Sequence, residues 1–428
     1  MKLEAGLALE ARLFAHAISI RLGFWFVVSG SRLVFRTKNQ RLETRNHKPE
    51  TRNHKPGLRY IVHSLFVSHT DCYHLFSNRG PALSVMNFSI NPFTEDLAVD
   101  LGTVHTFIYG RGRGMVVNEP SLVAIDKVSS EVIAVGNEAL EMLGRSPEDV
   151  EVAYPMQDGV VADSELTQTM LKKFIRKARG GRARFSRRII QSVPAGITSV
   201  ERFAIRDVVK GIGATRVYLV EEGLAAAIGA KLPAAEMTAS MVVDIGGATT
   251  SIAVVANAGI VESETLRLGG LDMDHAITDY IKHQRRVLIG ERTAERLKMV
   301  LGSATDPVED HKSVVKGQNV SEGGPEMIEV SSLEVHRAIE PVVKQIVEAV
   351  RDVLERIPPE VAGDIHDTGL VLTGGIALLA GMDARISQTT KLHVVVAESP
   401  RQSVARGLVA LYDQPLLLRR VARNIELA

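Results

Sequence analysis

The chain has 428 residues, of which 45% are hydrophobic and 24% charged, and its formal net charge is +1. This length exceeds the usual size of one domain, so two or more domains are expected, and the near-neutral charge gives no reason to expect nucleic acid as a partner. The single cysteine excludes an intrachain disulfide and a cysteine-based zinc site. No run of about 18 apolar residues occurs, so no membrane-spanning helix is predicted.

The first 85 residues differ in composition from the rest of the chain. They carry 13 Lys/Arg and 5 Asp/Glu, a net charge of +8, and because the whole chain is +1, residues 86–428 sum to −7. The heptapeptide ETRNHKP occurs twice in succession, at 43–49 and 50–56, and such a polar repeat has no apolar face to bury. We therefore expect residues 1–85 to be a disordered leader or translated upstream sequence, with Met86 as the natural start. The alternative is a basic arm that contacts lipid or nucleic acid.

From residue 97 the pattern becomes that of an α/β protein. Apolar runs at 97–100 and 104–109 flank Gly102 and Thr103, and they predict two strands joined by a tight turn. A helix is predicted to begin at Ser164, which is a candidate N-cap. Further strands are predicted at 115–126, 131–135, 188–193 and 217–220, and further helices at 201–210 and 225–230.

A second unit with the same opening begins near Ser240. Apolar runs at 241–244 and 251–255 predict strands on either side of Gly246-Gly247. Later segments predict helices at 276–300 and at 333–357, the latter kinked or restarted at Pro341, a surface hairpin or loop at 306–325, and a short strand at 369–372 before Thr373-Gly374-Gly375 and another helix.

Two aspartate–glycine turns in matching positions indicate a phosphate site. Asp100-Leu101-Gly102-Thr103 and Asp244-Ile245-Gly246-Gly247-Ala248-Thr249-Thr250 each follow a strand. Glycines let backbone N–H groups approach a phosphate, threonine hydroxyls can donate to its oxygens, and the two carboxylates can hold Mg²⁺ through water. One such turn alone is typical of an ordinary hairpin, so the repetition is the stronger signal. The third glycine motif, 374–375, suits a purine and ribose, but taken alone it is more typical of a helix entry that requires glycine.

The motifs DLGT, DIGGATT and VLTGG, in this order, resemble the two phosphate motifs and the adenosine motif of the superfamily that contains actin, sugar kinases and heat-shock chaperones. The linking segments are similar to the MreB family of bacterial actin-like proteins; they are 118–126, 134–163, 192–207, 217–233, 288–304 and 400–411. The resemblance implies an actin-like α/β fold, a duplicated ribonuclease H-like fold of two domains with a nucleotide cleft between them. Its implied parts are 86–238 with a small subdomain at about 115–160, 239–390 with one at about 266–335, and a segment 391–428 that returns to domain I.

The same resemblance implies roles for individual residues. Asp100 and Asp244 would hold Mg²⁺ through water, and Glu222 would orient the attacking water; without the resemblance, Glu221-Glu222 would be interpreted as a solvated strand end. Residues implied to bind ATP are Gly102, Thr103, Val104, Gly246, Gly247, Ala248, Thr249, Glu295, Lys298, Gly374, Gly375 and Ile376.

Five positions depart from the family pattern. They are His105 in place of Asn, Gly223 in place of Pro, Ala248 and Ile376 in place of Gly, and Leu271 in place of Asp. An alanine at a glycine position costs little where φ is negative and blocks a phosphate where φ is positive. We therefore expect nucleotide binding, and we leave open whether the protein is a slow, polymer-coupled ATPase.

The function implied by the resemblance is that of an ATP-binding cytoskeletal protein whose membrane-associated filaments direct cell-wall synthesis and maintain rod shape. Its partners would be other copies of itself, the inner face of the cytoplasmic membrane and the cell-wall synthesis machinery, in the cytoplasm and without nucleic acid. The stretch 176–188 holds seven Lys/Arg and predicts either a membrane-contacting loop or a solvated one. Alternatives are a non-hydrolysing paralogue that copolymerises, a positioning actin for plasmids or organelles, and a sugar or acetate kinase.

Overall fold

The computed structural model describes residues 24–29, 32–37, 94–178 and 185–426. The chain divides into two units, Met1–Met86 and Asn87–Ala428. In the first unit, strand β1 (Phe24–Ser29) pairs antiparallel with β2 (Arg32–Thr37). The repeated heptapeptide lies outside the described residues.

Two large sheets organise the second unit, and they share one topology. The first contains, in spatial order, β21 (Arg423–Glu426), β12 (Arg216–Glu221), β11 (Phe185–Val193), β3 (Thr94–Leu101), β4 (His105–Gly110) and β5 (Gly114–Pro120). The second contains β15 (Gly259–Leu266), β14 (Thr250–Ala256), β13 (Ser240–Ile245), β19 (Leu370–Thr373) and β20 (Val394–Val396). In each, the opening strand pairs antiparallel with the next strand and parallel with a later one: β3 with β4 and β11, β13 with β14 and β19.

Smaller sheets accompany each large sheet. One contains β7 (Val132–Val135), β6 (Val123–Asp126) and β8 (Val150–Ala153), and it is followed by the hairpin of β9 (Met156–Gln157) and β10 (Val160–Val161). The other contains β16 (Val287–Leu288), β17 (Lys312–Asn319) and β18 (Pro325–Ser331). The polar stretch 306–325 therefore includes a hairpin, as predicted.

Eleven α-helices occur in the described residues, and the structure bears on three of the helix predictions. The helices are α1 (Asn137–Met142), α2 (Ser164–Ala178), α3 (Ser199–Gly211), α4 (Glu222–Gly229), α5 (Gly270–Arg285), α6 (Glu291–Leu301), α7 (Ser332–Arg356), α8 (Pro359–Thr368), α9 (Met382–Thr390), α10 (Ser403–Ala410) and α11 (Pro415–Val421). Asp163 rather than Ser164 caps α2, because its carboxylate accepts the N–H of Leu166 at 2.9 Å. The helix predicted at 276–300 is two helices, since Arg286 adopts a left-handed φ of 58° and ends α5. Helix α7 continues through Pro341.

A central core joins the two large sheets through α4 and α10. Apolar side chains of both sheets contact these helices, namely Ala98, Ile190 and Val220 from the first and Val242, Ala253 and Val255 from the second. The helices cross where Gly229 lies against the carbonyl of Ser403 and Gly407 against that of Ala225, so close that a Cβ on either glycine would clash. The two sheets therefore share one helical joint.

The C-terminal segment contacts the first sheet. Tyr412 donates a hydrogen bond to the carbonyl of Leu97, and β21 pairs antiparallel with β12. Strand β20, which lies beyond the expected boundary at residue 390, still pairs with β19 of the second sheet. The return to the first sheet therefore begins after β20.

Candidate functional site

Three carboxylates lie close together where the two sheets face each other. Asp100 is the penultimate residue of β3, Asp244 is the penultimate residue of β13, and Glu222 begins α4 directly after β12. Burial and then the charges of Asp100 and Asp244 raise the pKa of Glu222 from 4.5 to about 8. Burial also raises the pKa of Asp100 to about 7, with a smaller contribution from Asp244, and that of Asp244 to about 6. The cluster therefore holds more negative charge than it can keep ionised without a cation.

Each of these carboxylates accepts a hydrogen bond from a buried hydroxyl. The bonds run from Ser192 Oγ to Asp100 at 2.8 Å, from Thr373 Oγ1 to Asp244 at 2.5 Å, and from Ser251 Oγ to Glu222 at 3.0 Å. None of these hydroxyls was predicted from sequence. The strand register explains the Thr373 bond, because Thr373 is the direct partner of Asp244 on the parallel neighbour strand. Ser251 is the direct partner of Asp244 on the antiparallel neighbour, but it donates to Glu222.

The two predicted phosphate loops are in direct contact. A Cβ on Gly247 would clash with the side chain of Val104, so this glycine permits the loops to approach. Gly159, in the β9–β10 turn, lies beside both loops: its N–H donates to Thr103 Oγ1 at 2.8 Å, and a Cβ there would lie 3.2 Å from Thr249 Cγ2. Residues predicted separately from two distant segments therefore form one continuous surface.

The second phosphate loop is anchored to the start of α5. The N–H of Gly270 donates to the carbonyl of Gly246 at 3.1 Å, and that of Leu271 to the carbonyl of Gly247 at 2.7 Å. Asp272 caps the helix by accepting the N–H of Gly269 at 2.8 Å. Leu271, which replaces an expected Asp, therefore leaves both the anchor and the cap intact.

The structure shows the backbone conformation of Ala248 and the hydrogen bond of Thr250, neither of which could be decided from the sequence. Ala248 is not among the described residues with positive φ, so its methyl group costs little at this glycine position. Thr250 is fully buried, and its hydroxyl donates to the carbonyl of Leu268 at 2.8 Å. The phosphate role predicted for the Thr250 hydroxyl does not fit this geometry, whereas Thr249 stays partly exposed.

Residues predicted to bind the nucleoside come from α6 and from the turn after β19. Lys298 is 7% exposed, and its Nζ donates to Asp274 Oδ2 and to the carbonyl of Gly270, both at 2.7 Å. Burial raises the pKa of Asp274 to about 6, and the nearby Lys298 opposes this shift. Glu295, on the same helix, is exposed.

The turn after β19 presents bare backbone. Gly374 has φ +85° and lies against the backbone of Ile245, so no side chain fits there, whereas a Cβ on Gly375 would meet open space. Ile376 is 8% exposed, and its side chain belongs to the core of the second sheet. A ligand at this turn would therefore contact Gly375 and the backbone rather than the Ile376 side chain.

Two remaining departures from the family pattern have local explanations. Gly223 lies so close to the methyl group of Ala253 that a larger residue would clash. His105 bonds through Nε2 to Asn118 Oδ1, and burial lowers its pKa from the ordinary value of 6.5. Neither residue removes a group from the carboxylate cluster.

The carboxylate cluster suits a hydrated cation. Among the residues that the structure describes, no group of three or more His, Cys, Asp or Glu is arranged to hold a metal ion directly. A hydrated Mg²⁺ nevertheless fits the donor set, because it prefers oxygen ligands, keeps most of its water, and would offset the repulsion that raises the three pKa values.

The basic stretch at 176–188 is described only at its ends. Residues 179–184 lie outside the described part of the chain, and they include much of the predicted membrane-contacting loop. At the near end, Lys177 forms an ion pair with Glu119 at 2.9 Å. No helix in the described ranges is long and apolar enough to cross a membrane.

Comparisons with known proteins agree with this geometry. A family model described as MreB/Mbl protein matches residues 94–419. The cell shape-determining protein MreB of Escherichia coli strain K12 is 47% identical over 320 residues, which cover 74% of this chain and 92% of that protein. The cell shape-determining protein Mbl of Bacillus subtilis strain 168 is 42% identical over 322 residues, covering 75% of this chain and 96% of that protein.

Solved structures show the same fold. The crystal structure of MreB5 of Spiroplasma citri bound to ADP superposes with a TM-score of 0.72 at 30% identity, covering 77% of this chain and 99% of that one. A MamK double helical filament has a TM-score of 0.63 at 22% identity, covers 75% of this chain and 99% of that one, and supports the fold alone. The two-domain actin-like α/β fold predicted from sequence is therefore confirmed.

Proposed function

This chain belongs to the MreB/Mbl family, and from that membership we propose that it binds Mg-ATP between its two large sheets and assembles into filaments on the inner face of the cytoplasmic membrane. The filaments would direct the cell-wall synthesis machinery and maintain rod shape. The observation that carries the nucleotide part is the carboxylate cluster of Asp100, Asp244 and Glu222 beside two phosphate loops in mutual contact.

Each part of the cluster has a proposed task. Backbone N–H groups of the two loops, with Thr103 and Thr249, bind the phosphates. Asp100 and Asp244 would hold the water shell of Mg²⁺, which would supply positive charge next to the transferring phosphoryl group. Glu222, held by Ser251, orients the attacking water and accepts its proton. Without a cation the pKa of Glu222 is about 8, and the positive charge of a bound Mg²⁺ would lower it and so favour the ionised carboxylate that can accept this proton.

Support for nucleotide and membrane binding comes from a similar protein and from charge, whereas filament assembly rests on family membership. One structural neighbour is MreB5 of Spiroplasma citri bound to AMPPNP, a nucleotide analogue. The stretch 176–188 holds seven Lys/Arg. Lys177 is paired with Glu119 and Arg188 with Asp96, and each of the other basic residues that reached an anionic membrane surface would contribute about 1 kcal/mol of attraction.

The test combines sedimentation and turnover. The full chain would be pelleted with anionic liposomes, with neutral liposomes and without lipid, each with and without Mg-ATP, while phosphate release is followed. We expect ATP-dependent pelleting that increases with anionic lipid. Glu222→Gln should release phosphate about a hundredfold more slowly yet still pellet, whereas the neighbouring Glu221→Gln serves as the matched control with normal turnover. Absence of pelleting under all conditions would contradict the proposal.

A second candidate is a non-hydrolysing family member that copolymerises. Gly223 at the position expected for proline, directly after Glu222, is the observation that favours it. ATP-dependent pelleting without phosphate release from the unmodified chain would support this candidate over a working ATPase.

A further inference from the structure

Lys298 and Asp274 form a buried ion pair between α6 and α5. Their side chains are 9% and 7% exposed, and Nζ lies 2.7 Å from Asp274 Oδ2. Burying two charges carries a desolvation cost that their attraction often fails to offset, so such a pair is weak evidence for a purely stabilising role.

The hydrogen bonds of this pair satisfy the lysine better than the aspartate. Asp274 Oδ1 is buried and has no hydrogen-bond partner, whereas a pair built for stability would use both carboxylate oxygens. Lys298 receives two acceptors at 2.7 Å, Asp274 Oδ2 and the carbonyl of Gly270. An ammonium group has three donors, so the protein fixes two of them and leaves one for a ligand.

The location of the pair connects the proposed nucleoside and phosphate subsites. A Cβ on Gly270 would lie 3.0 Å from Lys298 Nζ and 3.1 Å from Ile376 Cδ1. Gly270 also donates its N–H to the carbonyl of Gly246 in the second phosphate loop. Lys298 therefore lies between the turn after β19 and the start of α5, and any shift of its ammonium group changes the nucleoside end of the site.

We propose that Asp274 is a positioning residue, which fixes the Lys298 ammonium group so that its remaining N–H meets an acceptor on the sugar or base of the nucleotide. The inference rests on the proposed nucleotide function and adds to it a residue that acts without touching the ligand. It requires that loss of the Asp274 charge weakens recognition of the nucleoside and leaves recognition of the phosphates unchanged.

The test compares two ligands of the full chain, Mg-ATP and Mg-tripolyphosphate, by displacement of a fluorescent ATP analogue. Asp274→Asn should weaken ATP binding about tenfold, the effect of losing one charge-assisted hydrogen bond, and should leave tripolyphosphate binding unchanged. Asp279→Asn, an identical change at an exposed position of the same helix, is the matched control and should alter neither. A merely structural role for Asp274 would weaken both ligands, and that result would overturn the inference.

A double-mutant cycle gives the second measurement. If Asp274 acts through Lys298, then Asp274→Asn should have no further effect on ATP affinity once Lys298→Met is present. Because the double variant buries no unpaired charge, it also guards against misfolding of the single variant. Additive effects, or equal ATP affinity of Asp274→Asn and the unmodified chain, would overturn the inference while the proposed function stands. Failure of the unmodified chain to bind ATP would overturn both.

Discussion

The first and second sheets place an aspartate at the same point of the same opening strand, and the surroundings of the two carboxylates differ in one respect. Each accepts a hydrogen bond from a hydroxyl on the parallel neighbour strand: Asp100 from Ser192 at 2.8 Å and Asp244 from Thr373 at 2.5 Å. Burial raises both pKa values, to about 7 for Asp100 and about 6 for Asp244, and the charge of Asp244 adds to the shift at Asp100. The shared topology therefore sets the position and the hydroxyl partner of each aspartate, whereas a neighbouring carboxylate adds to the pKa shift of Asp100.

The two halves also divide the remaining chemistry between them. Glu222 follows β12 of the first sheet, whereas the bare turn Gly374-Gly375 and the buried Lys298 belong to the second half. Phosphate binding would thus be symmetric, while the proposed general base and the proposed nucleoside contacts each come from one half. A duplicated fold can keep one function in both copies and assign the others to single copies.

The largest expected effect comes from forcing the two sheets apart at their shared joint. Gly407→Ala should lower the free energy of unfolding by about 3 kcal/mol, because the added methyl overlaps the carbonyl of Ala225 in a packed crossing. Urea denaturation would measure the loss. Gly363→Ala is the matched control: it makes the same change in α8, where a Cβ meets open space, and should be neutral or stabilising by less than about 1 kcal/mol. Equal effects would show that the crossing is not tight.

The next effect is a pH dependence of stability without Mg²⁺. Because the pKa values of Asp100, Asp244 and Glu222 are raised in the folded state, the folded protein holds protons that the unfolded chain releases between about pH 4 and each raised value. Stability should therefore fall as pH rises from 5 to 8, because the folded state binds more protons than the unfolded chain over this range. Thermal denaturation in a pH series would measure the slope, and Glu222→Gln should reduce it most above pH 7. Stability that did not change with pH would contradict the clustering of the three carboxylates.

A smaller effect compares the hydroxyls in the two sheets. Thr373→Val and Ser192→Ala each remove one hydrogen bond that favours an ionised carboxylate, which corresponds to about 1 kcal/mol. We expect Mg-ADP affinity to fall about fivefold in each, and more for Thr373→Val, whose bond is shorter. Isothermal titration would measure both, with Thr390→Val as a control remote from the cluster. A larger loss in Ser192→Ala would contradict the order expected from the lengths of the two hydrogen bonds.

The smallest effect is expected at the alanine of the second phosphate loop. Ala248→Gly should change ATP affinity by less than about twofold, since Ala248 does not adopt positive φ and its methyl group is already accommodated. Equilibrium binding of a fluorescent ATP analogue would check this. A strong gain in affinity would show that the methyl group obstructs the phosphate.

The local parts of this site could be predicted from the sequence. An apolar strand, an aspartate and a glycine turn are adjacent in the chain, so both phosphate loops followed from short segments. The hydroxyl partners could not be predicted in this way, because Thr373 and Asp244 are 129 residues apart and meet only through the register of a parallel strand pair. The family resemblance matched Lys298 to a nucleoside contact, but its partner Asp274 lies on another helix and carried no signal of its own.

Backbone conformation accounts for most of the remaining differences. Arg286 ends α5 in a left-handed conformation, which is usually adopted by glycine or asparagine. Because an arginine stands there instead, nothing in the sequence signalled that one helix ends and another begins. The sequence also left undecided whether Ala248 was compatible with its loop, because φ depends on how that loop closes against α5. Both cases turn on torsion angles that a side-chain pattern does not encode.

The hydrogen bond from Ser251 to Glu222 has a mechanical consequence. Glu222 leaves a strand of the first sheet, whereas Ser251 belongs to the second, so the bond spans the joint about which the sheets would rotate. An opening that separated β12 from β14 would lengthen this bond and release the Glu222 carboxylate from Ser251. With Glu222 as the proposed general base, we therefore expect ATP hydrolysis only after the two halves have closed. A nucleotide bound in an open form would not be hydrolysed.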